Sequence, residues 1–473
     1  MTSQLKEECG VFGIFNHEEA ANLAYLGLHS LQHRGQESAG ITTSDGRRLY
    51  RKRAMGLVAD IFDEESLKGL KGKSAIGHVR YSTSGSSTLN NIQPIVITRS
   101  GSEMAIAHNG NLTNALTLRG QLEDEGAIFQ STTDTEVVVH LMARSKKQSL
   151  AERIIHALSF CKGAYSIVFL DSEKLVAARD PYGFRPLVLG KLGDDSYVVA
   201  SETCAFDLIN ASYVREIEPG EVVIIDGDKV ESLKPFPEKK PAACIFEYIY
   251  FSRPDSNSGG RSMYLVRKEL GKQLAVEQPA EADIVIAVPD SGVPSAMGYS
   301  EQIGVPLEMG FLRSHYVGRT FIEPEQSIRN FGVKLKLSAI REVIKNKRVV
   351  IVDDSIVRGT TSRKIVKMVR DAGAKEVHVR ICSPPMKFSC YYGIDTPNKD
   401  ELIANSLEVD EIRKYITADS LGYLSKQGID IAVENSSPDG KKEGYCYACF
   451  TGDYKVEIDD LKLSSTQMDL FPD

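Results

Sequence analysis

The chain has 473 residues, which at roughly 150 residues per domain predicts two to four domains. Its net charge is −7 and its pI about 5.8, so general binding to nucleic acid or to anionic membranes is disfavoured. No apolar run approaches the roughly 18 residues that a membrane span needs. The start of the chain lacks an apolar signal segment, and eight cysteines are too few for a disulfide scaffold, so we expect a cytoplasmic protein.

The first half of the chain reads as short strands with helices between them. The apolar pattern predicts strands at 11–15, 75–79, 104–108, 166–170 and 222–225, and helices at 20–32 and 134–143. Such runs favour layered sheets with helices outside. The charged stretch 231–241 contains three prolines and predicts a linker.

Four short strings in this half contain side chains capable of catalysis or of substrate binding. Taken singly, Cys9 reads as a buried thiol, Arg80 as a surface arginine, Asn109-Gly110 as a hairpin turn and Asp134 as a helix N-cap. Taken together they supply a nucleophile, a carboxylate clamp, an oxyanion site and an ammonium acceptor. The strings are CGVFGIF at 9–15, GHVRYST at 77–83, AHNGN at 107–111 and TTDTE at 132–136, with LQHRGQESAG at 31–40.

These strings resemble the class II glutamine amidotransferases, an N-terminal-nucleophile hydrolase family, over residues 9–235. The resemblance implies an α+β domain built as an αββα sandwich, in which Cys9 attacks the glutamine amide. It also implies that Asn109 and Gly110 stabilise the oxyanion, Arg80 binds the α-carboxylate and Asp134 accepts the α-ammonium group. The cysteine must be the first residue of the mature chain in this family, so we expect residues 1–8 to be a propeptide.

The second half has a different texture. Runs 284–288 and 349–352 are continuously apolar, which is typical of strands buried on both faces, and 377–381 is a third candidate. The segment 362–372 places its apolar residues on one helix face and is followed by Gly373, a natural helix terminator. Residues 349–381 therefore predict a strand–helix–strand unit of a parallel sheet.

A phosphate-binding loop is predicted where the second of these strands ends. Asp353 and Asp354 follow the strand, and Gly359, Thr360 and Thr361 lead into the helix. Backbone N–H groups at a helix start can hold a phosphate, and adjacent carboxylates can hold ribose hydroxyls or the Mg²⁺ shell.

This string resembles the signature of type I phosphoribosyltransferases, which bind 5-phosphoribosyl 1-pyrophosphate (PRPP), and the resemblance covers about 244–400. It implies an α/β domain in which Asp353 and Asp354 contact the ribose and Mg²⁺. The residues implied to bind the 5′-phosphate are Arg358, Gly359, Thr360 and Thr361. A pyrophosphate loop is implied at 288–293, and a covering flap at 319–324 would bring Arg319, with Lys334 following. Gly292 stands where close relatives often have a serine metal ligand, so direct protein coordination there is not expected.

Cys446 and Cys449 form a C-x₂-C pair that could hold one metal centre with two further thiolates. Spacing alone leaves zinc and an iron–sulfur cluster open. The strings around Cys244, Cys390 and this pair resemble the iron–sulfur branch of the amidophosphoribosyltransferases, which implies a [4Fe–4S] cluster on these four cysteines. The propeptide-like leader is a feature of the same branch, and Cys161, Cys204 and Cys382 are expected to be core thiols.

Together the two halves resemble the amidophosphoribosyltransferase family from Cys9 to about Cys449. The resemblance implies that ammonia from glutamine displaces pyrophosphate from PRPP to give 5-phosphoribosylamine, the first committed step of purine biosynthesis. It also implies feedback by purine nucleotides and a homotetramer or homodimer, with no nucleic-acid or membrane partner. Arg34 and Tyr264 resemble residues that couple the two sites. We divide the chain into 1–8, 9–235, the linker 236–243 and 244–473.

Two other functions stay open from the residues themselves. Another class II amidotransferase, such as a glucosamine-6-phosphate or asparagine synthase, would share the first half but leave 349–361 unexplained. A non-catalytic PRPP-sensing regulator would explain the second half, but it predicts loss of Cys9 or its partners, and all of these are present.

Overall fold

The computed structural model describes residues 6–7, 9–81, 88–99, 101–193, 196–313, 337–437 and 444–461. Two antiparallel sheets form the first domain. From edge to edge, the first sheet contains Ser212–Glu216, Val188–Leu192, Ser196–Ala200, Cys9–Phe15, Ser74–Arg80, Ser38–Ser44 and Leu49–Met55. The second contains Lys229–Leu233, Val222–Asp226, Leu175–Arg179, Gly163–Leu170, Ser102–Leu112 and Ile95–Arg99.

The two sheets pack face to face on an apolar core. Val11 and Ile76 of the first sheet meet Ala107 and Val168 of the second, all with no exposed surface. Helices cover the outer face of the first sheet at Ala20–Ser30, Val58–Ile61, Glu64–Gly69 and Cys204–Asp207. Helices cover the second at Ala115–Asp124, Thr135–Arg144 and Leu150–Leu158. The expected αββα sandwich is confirmed.

Each strand predicted in this domain is present, and most are longer than the apolar pattern suggests. Asn109-Gly110, which alone favours a hairpin turn, lies inside the 11-residue strand Ser102–Leu112. The first predicted helix ends at Ser30, two residues early. The stretch predicted as a linker overlaps the strand Lys229–Leu233, so its first three residues belong to the second sheet.

The second domain contains a parallel sheet in the order Ile284–Ala287, Arg348–Asp353, Glu376–Ile381 and Ser420–Tyr423. Helices Met263–Glu277, Val293–Ile303 and Lys426–Asn435 pack on one face. Helices Arg341–Ile344, Thr360–Asp371 and Val409–Ile416 pack on the other. The predicted strand–helix–strand unit is confirmed, with its helix starting at Thr360 rather than at 362.

Short elements complete the described chain. Two-residue strands pair Lys6–Glu7 with Ile394–Asp395, Ala243–Cys244 with Tyr445–Cys446 and Asn257–Ser258 with Arg261–Ser262, and a longer pair joins Phe311–Arg313 to Leu337–Ala339. Short helical turns lie at Leu89–Asn91, Glu247–Phe251, Lys399–Glu401, Ile403–Ser406 and Ala448–Thr451. None of the helices in the described ranges is long and apolar enough to cross a membrane.

Candidate active sites

Cys9 is the first residue of the central strand of the first sheet. It lies directly opposite Arg80, the last residue of the neighbouring strand Ser74–Arg80. Opposite residues of an antiparallel pair point to the same face, so the thiol and the guanidinium lie together. Both residues are buried, with 8% and 3% of their surface exposed. The strand order thus places a thiol beside a buried positive charge.

The second sheet brings Asn109 to the same place. Its side-chain Nδ2 donates to Ser201 Oγ over 3.2 Å, and Ser201 Oγ also accepts the Val11 N–H over 3.0 Å. Because Val11 is two residues from Cys9, Ser201 bridges the two sheets next to the thiol. Gly110 follows with a φ of +151°, and a Cβ there would lie 2.2 Å from the Ala164 carbonyl oxygen. Only glycine fits this position.

Asp134 precedes the helix Thr135–Arg144 but its carboxylate does not cap that helix. Oδ2 accepts the Leu112 N–H over 2.9 Å, and Oδ1 lies 3.5 Å from His108 Nδ1. Burial acts to raise the pKa of Asp134, but the His108 charge and the hydrogen bonds from His108, Leu112 and Thr135 outweigh it and hold the pKa below its ordinary value. The carboxylate is largely shielded, with 9% of its side chain exposed, and it lies beside the strand Ser102–Leu112.

A buried charge cluster lies behind the thiol, where the two domains meet. Arg34 has no exposed surface; its Nε donates to the Cys9 carbonyl over 3.2 Å, and its guanidinium pairs with Glu202 and Glu247. Arg185 also pairs with Glu247 over 2.7 Å. Sequence reasoning missed Glu247, although it is the one carboxylate in the apolar run 245–251.

Tyr264, expected with Arg34 to couple the sites, lies in the second domain. It is 37% exposed, and its hydroxyl contacts Met297 Sδ over 3.3 Å. Among the hydrogen bonds of the described residues, none joins the Tyr264 side chain to the charge cluster.

The second candidate site is at the carboxyl end of the parallel sheet. Ser291 Oγ and Ser355 Oγ donate to the two oxygens of Asp354 over 2.5 and 2.6 Å. Desolvation, followed by the neighbouring Asp354 charge, holds the pKa of Asp353 well above its ordinary value. Desolvation also raises the pKa of Asp354, against the two serine hydrogen bonds. A cation or several hydroxyl donors would favour the charged forms of both acids.

The loop that follows is shaped for a helix start. Gly359 adopts a φ of +72°, and a Cβ there would lie 2.6 Å from Ile403. Thr360 and Thr361 then form the first turn of the helix, where backbone N–H groups point out of the helix end. Arg358 precedes this turn, but its guanidinium is engaged in an ion pair with Glu401 over 2.7 Å.

Gly292 precedes the helix Val293–Ile303 and packs against backbone. A Cβ at this position would lie 2.8 Å from the Val352 carbonyl oxygen and 2.9 Å from that of Val288. A serine would therefore require backbone movement, which agrees with the expectation that this position supplies no metal ligand. Arg319 and Lys334 lie outside the described residues.

The four cysteines assigned to a cluster converge in the second domain. Cys244 and Cys446 are direct partners in a short parallel ladder. The pKa of the Cys449 thiol is raised first by burial and then by the other three thiols, so all four lie within electrostatic reach. In the described ranges, however, no three His, Cys, Asp or Glu side chains surround one point as ligands of a single metal ion.

The loop that carries Cys390 also contacts the first site. The Asn111 side chain donates to the Tyr391 carbonyl over 3.0 Å, and Gly393 packs against Gly110. The strand Lys6–Glu7, just before Cys9, pairs with Ile394–Asp395 of the same loop. The loop that carries Cys390 therefore contacts both the strand Ser102–Leu112 and the chain that leads into Cys9.

Comparisons with known proteins agree on both halves. The family model described as a glutamine amidotransferase domain matches residues 78–207, and that described as a phosphoribosyl transferase domain matches residues 263–388. Amidophosphoribosyltransferase 1, chloroplastic, of Arabidopsis thaliana is 55% identical over 469 residues, covering 99% of this chain and 82% of that protein. Amidophosphoribosyltransferase of Bacillus subtilis is 51% identical, covering 96% and 95%.

Two solved structures are similar over nearly the whole chain. Glutamine PRPP amidotransferase from B. subtilis, complexed with ADP and GMP, superimposes with a TM-score of 0.90 at 51% identity, covering 95% of this chain and 98% of that one. A structure described as the allosteric regulatory enzyme of purine biosynthesis gives a TM-score of 0.91 at 51% identity, covering 95% and 97%.

Proposed function

Because the chain belongs to the amidophosphoribosyltransferase family, we propose a role for each residue that its two sites bring together. The enzyme is a pentosyltransferase: it uses glutamine and PRPP to form 5-phosphoribosylamine, glutamate and pyrophosphate, the first step of purine synthesis. The observation that carries the residue assignment is the pairing of Cys9 with Arg80 on one sheet, opposite Asn109 on the other.

In the first site, Cys9 attacks the glutamine carboxamide. The Asn109 side chain and the Gly110 N–H stabilise the tetrahedral oxyanion, which is typically worth about a hundred- to a thousandfold in rate for one donor. Ammonia leaves, and water then hydrolyses the thioester to glutamate. Arg80 binds the α-carboxylate with its guanidinium fork, and the Asp134 anion accepts the α-ammonium group.

In this proposal, no side chain acts as the general base for Cys9. Its own α-amine, with a pKa near ~8, takes the thiol proton after cleavage between Glu8 and Cys9. The pairing of Lys6–Glu7 with Ile394–Asp395 supports a leader that is held in place before cleavage. Intact-mass measurement of active enzyme tests this step, and retention of residues 1–8 contradicts it.

In the second site, Asp353 and Asp354 bind the ribose hydroxyls and the Mg²⁺ that accompanies PRPP. The turn Gly359–Thr361 holds the 5′-phosphate, and the loop 288–293 holds the pyrophosphate. Arg319 and Lys334 are proposed to cover the substrate. The raised pKa of the acid pair supports a cation here, and Mg²⁺ held by these carboxylates would neutralise charge on the leaving pyrophosphate. The chain positions the substrate so that ammonia displaces pyrophosphate at C1.

We propose that the four cysteines hold a [4Fe–4S] cluster. Cys244 and Cys446 are partners in one short ladder, and Cys449 lies within electrostatic reach of the other three thiols, which supports a shared thiolate site. Burial raises the pKa of Cys446 to about 12, and ligation would favour the thiolate. Cys244, Cys390, Cys446 and Cys449 would hold the cluster, whose role we propose to be structural or oxygen-sensing.

Three broader expectations also stay proposals. They are feedback by purine nucleotides, which the ADP and GMP bound to the B. subtilis enzyme support, a homotetramer or homodimer, and a cytoplasmic location. Several relatives are named chloroplastic, so location needs its own measurement.

The test is glutamate release from glutamine by anaerobically purified protein, with and without PRPP and Mg²⁺. We expect strong stimulation by PRPP with matching pyrophosphate release. Cys9→Ala should abolish glutamine use while ammonia-dependent synthesis continues. Glutaminase activity that ignores PRPP would contradict the second site, and glutamine use by Cys9→Ala would contradict the first.

A further inference from the structure

One buried hydroxyl joins three parts of the first domain. Thr135 has no exposed surface, and its Oγ1 accepts the Gln93 side-chain N–H over 3.0 Å. The same oxygen lies 3.2 Å from His108 Nδ1, and the hydroxyl donates to Asp134 Oδ1 over 3.3 Å. Gln93 precedes the strand Ile95–Arg99, His108 lies within the strand Ser102–Leu112, and Asp134 begins a helix. We call Gln93, His108, Asp134 and Thr135 the Thr135 cluster.

Gln93 connects Thr135 to the backbone of the strand Ser102–Leu112 through two hydrogen bonds. While its Nε2 donates to Thr135, its Oε1 accepts the backbone N–H of His108 over 2.7 Å. The residue is 4% exposed, so both bonds are shielded from water. His108 directly precedes Asn109 and Gly110. The helix start that carries Asp134 is therefore tied to the strand that carries the oxyanion pair.

We propose that the Thr135 hydroxyl is a positioning group that sets the spacing between Asp134 and the Asn109-Gly110 pair. The inference rests on the proposed roles of these residues. The α-ammonium group and the carboxamide of glutamine are joined by a short chain of fixed length, so both ends bind only if the two protein groups are correctly spaced. The hydrogen bonds of the Thr135 cluster fix the distance between these two protein groups.

The hydroxyl matters more than the bulk of the side chain. Without it, the Gln93 Nε2 donor loses its acceptor in a buried place, and such a group re-pairs with the nearest available one. The Thr135 hydroxyl also donates to Asp134 Oδ1 over 3.3 Å, so its loss removes one of the hydrogen bonds that orient this carboxylate. A carboxylate that turns from this position binds the substrate ammonium group less well.

The experiment compares Thr135→Val, which removes the hydroxyl with nearly the same shape, with Thr135→Ser, which keeps it. Thr133→Val is the matched control, because Thr133 is also buried and its hydroxyl contacts Ser131 Oγ at 3.0 Å, outside the cluster. Each variant is assayed with glutamine and with glutaramate, which has the same carboxamide and carboxylate but no α-amine. Ammonia-dependent synthesis reports on the second domain.

We expect Thr135→Val to raise the glutamine KM about tenfold, equivalent to about 1.4 kcal/mol of binding, with a much smaller change in kcat. Its kcat/KM for glutaramate should stay within about twofold of wild type, and so should the glutamine KM of Thr135→Ser and Thr133→Val. An equal loss for glutamine and glutaramate would overturn the inference, since a merely structural role lowers both.

Asp134→Asn separates this inference from the proposed function. If Asp134→Asn leaves the glutamine KM unchanged, the ammonium role itself is wrong. If Asp134→Asn raises the KM and Thr135→Val does not, only the positioning role is wrong. Should Thr135→Val fail to fold, Gln93→Met, which removes both links, is expected to raise the KM in the same way, and an unchanged KM would overturn the inference.

Discussion

Arg34 of the first domain and Glu247 of the second form a buried ion pair, with Nη2 2.7 Å from Oε1. The Nε atom of the same guanidinium donates to the carbonyl of Cys9 over 3.2 Å. Removing two charges from water costs several kcal/mol each, and only good geometry with further hydrogen bonds offsets that cost. Arg185 and Ser252 supply those bonds to Glu247. The domains therefore meet at a fixed point next to the backbone of Cys9.

Glu247→Gln should destabilise the enzyme strongly. It would leave Arg34 and Arg185 buried beside a neutral amide, and breaking a buried pair in this way costs about 3–5 kcal/mol. We expect a clear fall in the midpoint of thermal unfolding and a larger loss of glutamine-dependent than of ammonia-dependent activity. Glu64→Gln, which breaks the exposed pair with Lys68, is the control and should leave both readouts unchanged. Equal behaviour of the two variants would contradict the prediction.

The contrast between Cys9 and Glu247 shows what the sequence could predict. Cys9, Arg80, Asn109 and Asp134 each sit in a short local string, and the apolar pattern was enough to find a strand next to each of the first three and a helix at Asp134. Their adjacency needed the strand order, which no local pattern contains. Family resemblance supplied the grouping, and the register of Cys9 with Arg80 then confirmed that the two lie together.

The groups that sequence reasoning missed act across long separations. Glu247 is 213 residues from Arg34, and Ser201 is 92 residues from Asn109. A lone glutamate in an apolar run signals a buried partner but does not say which one. Gly110 was predicted as an oxyanion donor, but its φ of +151° inside a strand was not predicted, because it reflects close approach of Ala164, which only tertiary packing creates.

His78 should make the protein acid-sensitive. Burial, against the hydrogen bond with the His108 carbonyl, lowers the pKa of His78 from 6.5 to about 3. The unfolded chain binds a proton as the pH falls below about 6.5, while the native chain does not until about pH 3. The free energy of unfolding therefore falls by about 1.4 kcal/mol per pH unit in this window, from this residue alone.

The measurement is denaturant unfolding of wild type and His78→Gln at a series of pH values from 7 to 4. The variant cannot bind this proton, so its stability should fall less steeply as the pH is lowered. His17→Gln, at a surface position where the ring accepts the Glu19 N–H, is the control and should keep the wild-type slope. An identical slope for His78→Gln would show that this histidine does not carry the effect.

Cys446→Ser should remove the metal centre. Hydroxyl is a poor substitute for thiolate, so we expect iron and sulfide of anaerobically purified protein to fall to background, together with stability. Cys161→Ser is a matched control, because Cys161 lies in the first domain with Sγ 3.5 Å from the Ala157 carbonyl oxygen. Zinc without sulfide in the wild type would contradict the cluster.

We expect the segment 452–461, which we call the strap, to hold the two domains together. It leaves the helix Ala448–Thr451, which contains Cys449, and returns to the first domain, where the Asp460 carboxylate accepts the N–H groups of Leu116 and Thr117, each over 3.0 Å. Asp460 thus caps the helix Ala115–Asp124 from outside that domain's own chain. The Thr113 hydroxyl, just after the strand Ser102–Leu112, donates to the Glu457 carbonyl over 2.9 Å.

Asp460→Ala should therefore lower stability by about 1 kcal/mol, as loss of a helix cap does. Hydrogen exchange should quicken at Leu116 and Thr117, because their N–H groups lose this acceptor. Asp459→Ala is the neighbouring control: Asp459 pairs with Lys162 over 2.8 Å, an ion pair at a half-exposed lysine that contributes little. If both variants exchange alike at Leu116, the segment is a passive tail. Faster exchange in Asp460→Ala alone shows that the strap holds the helix start beside the glutamine site.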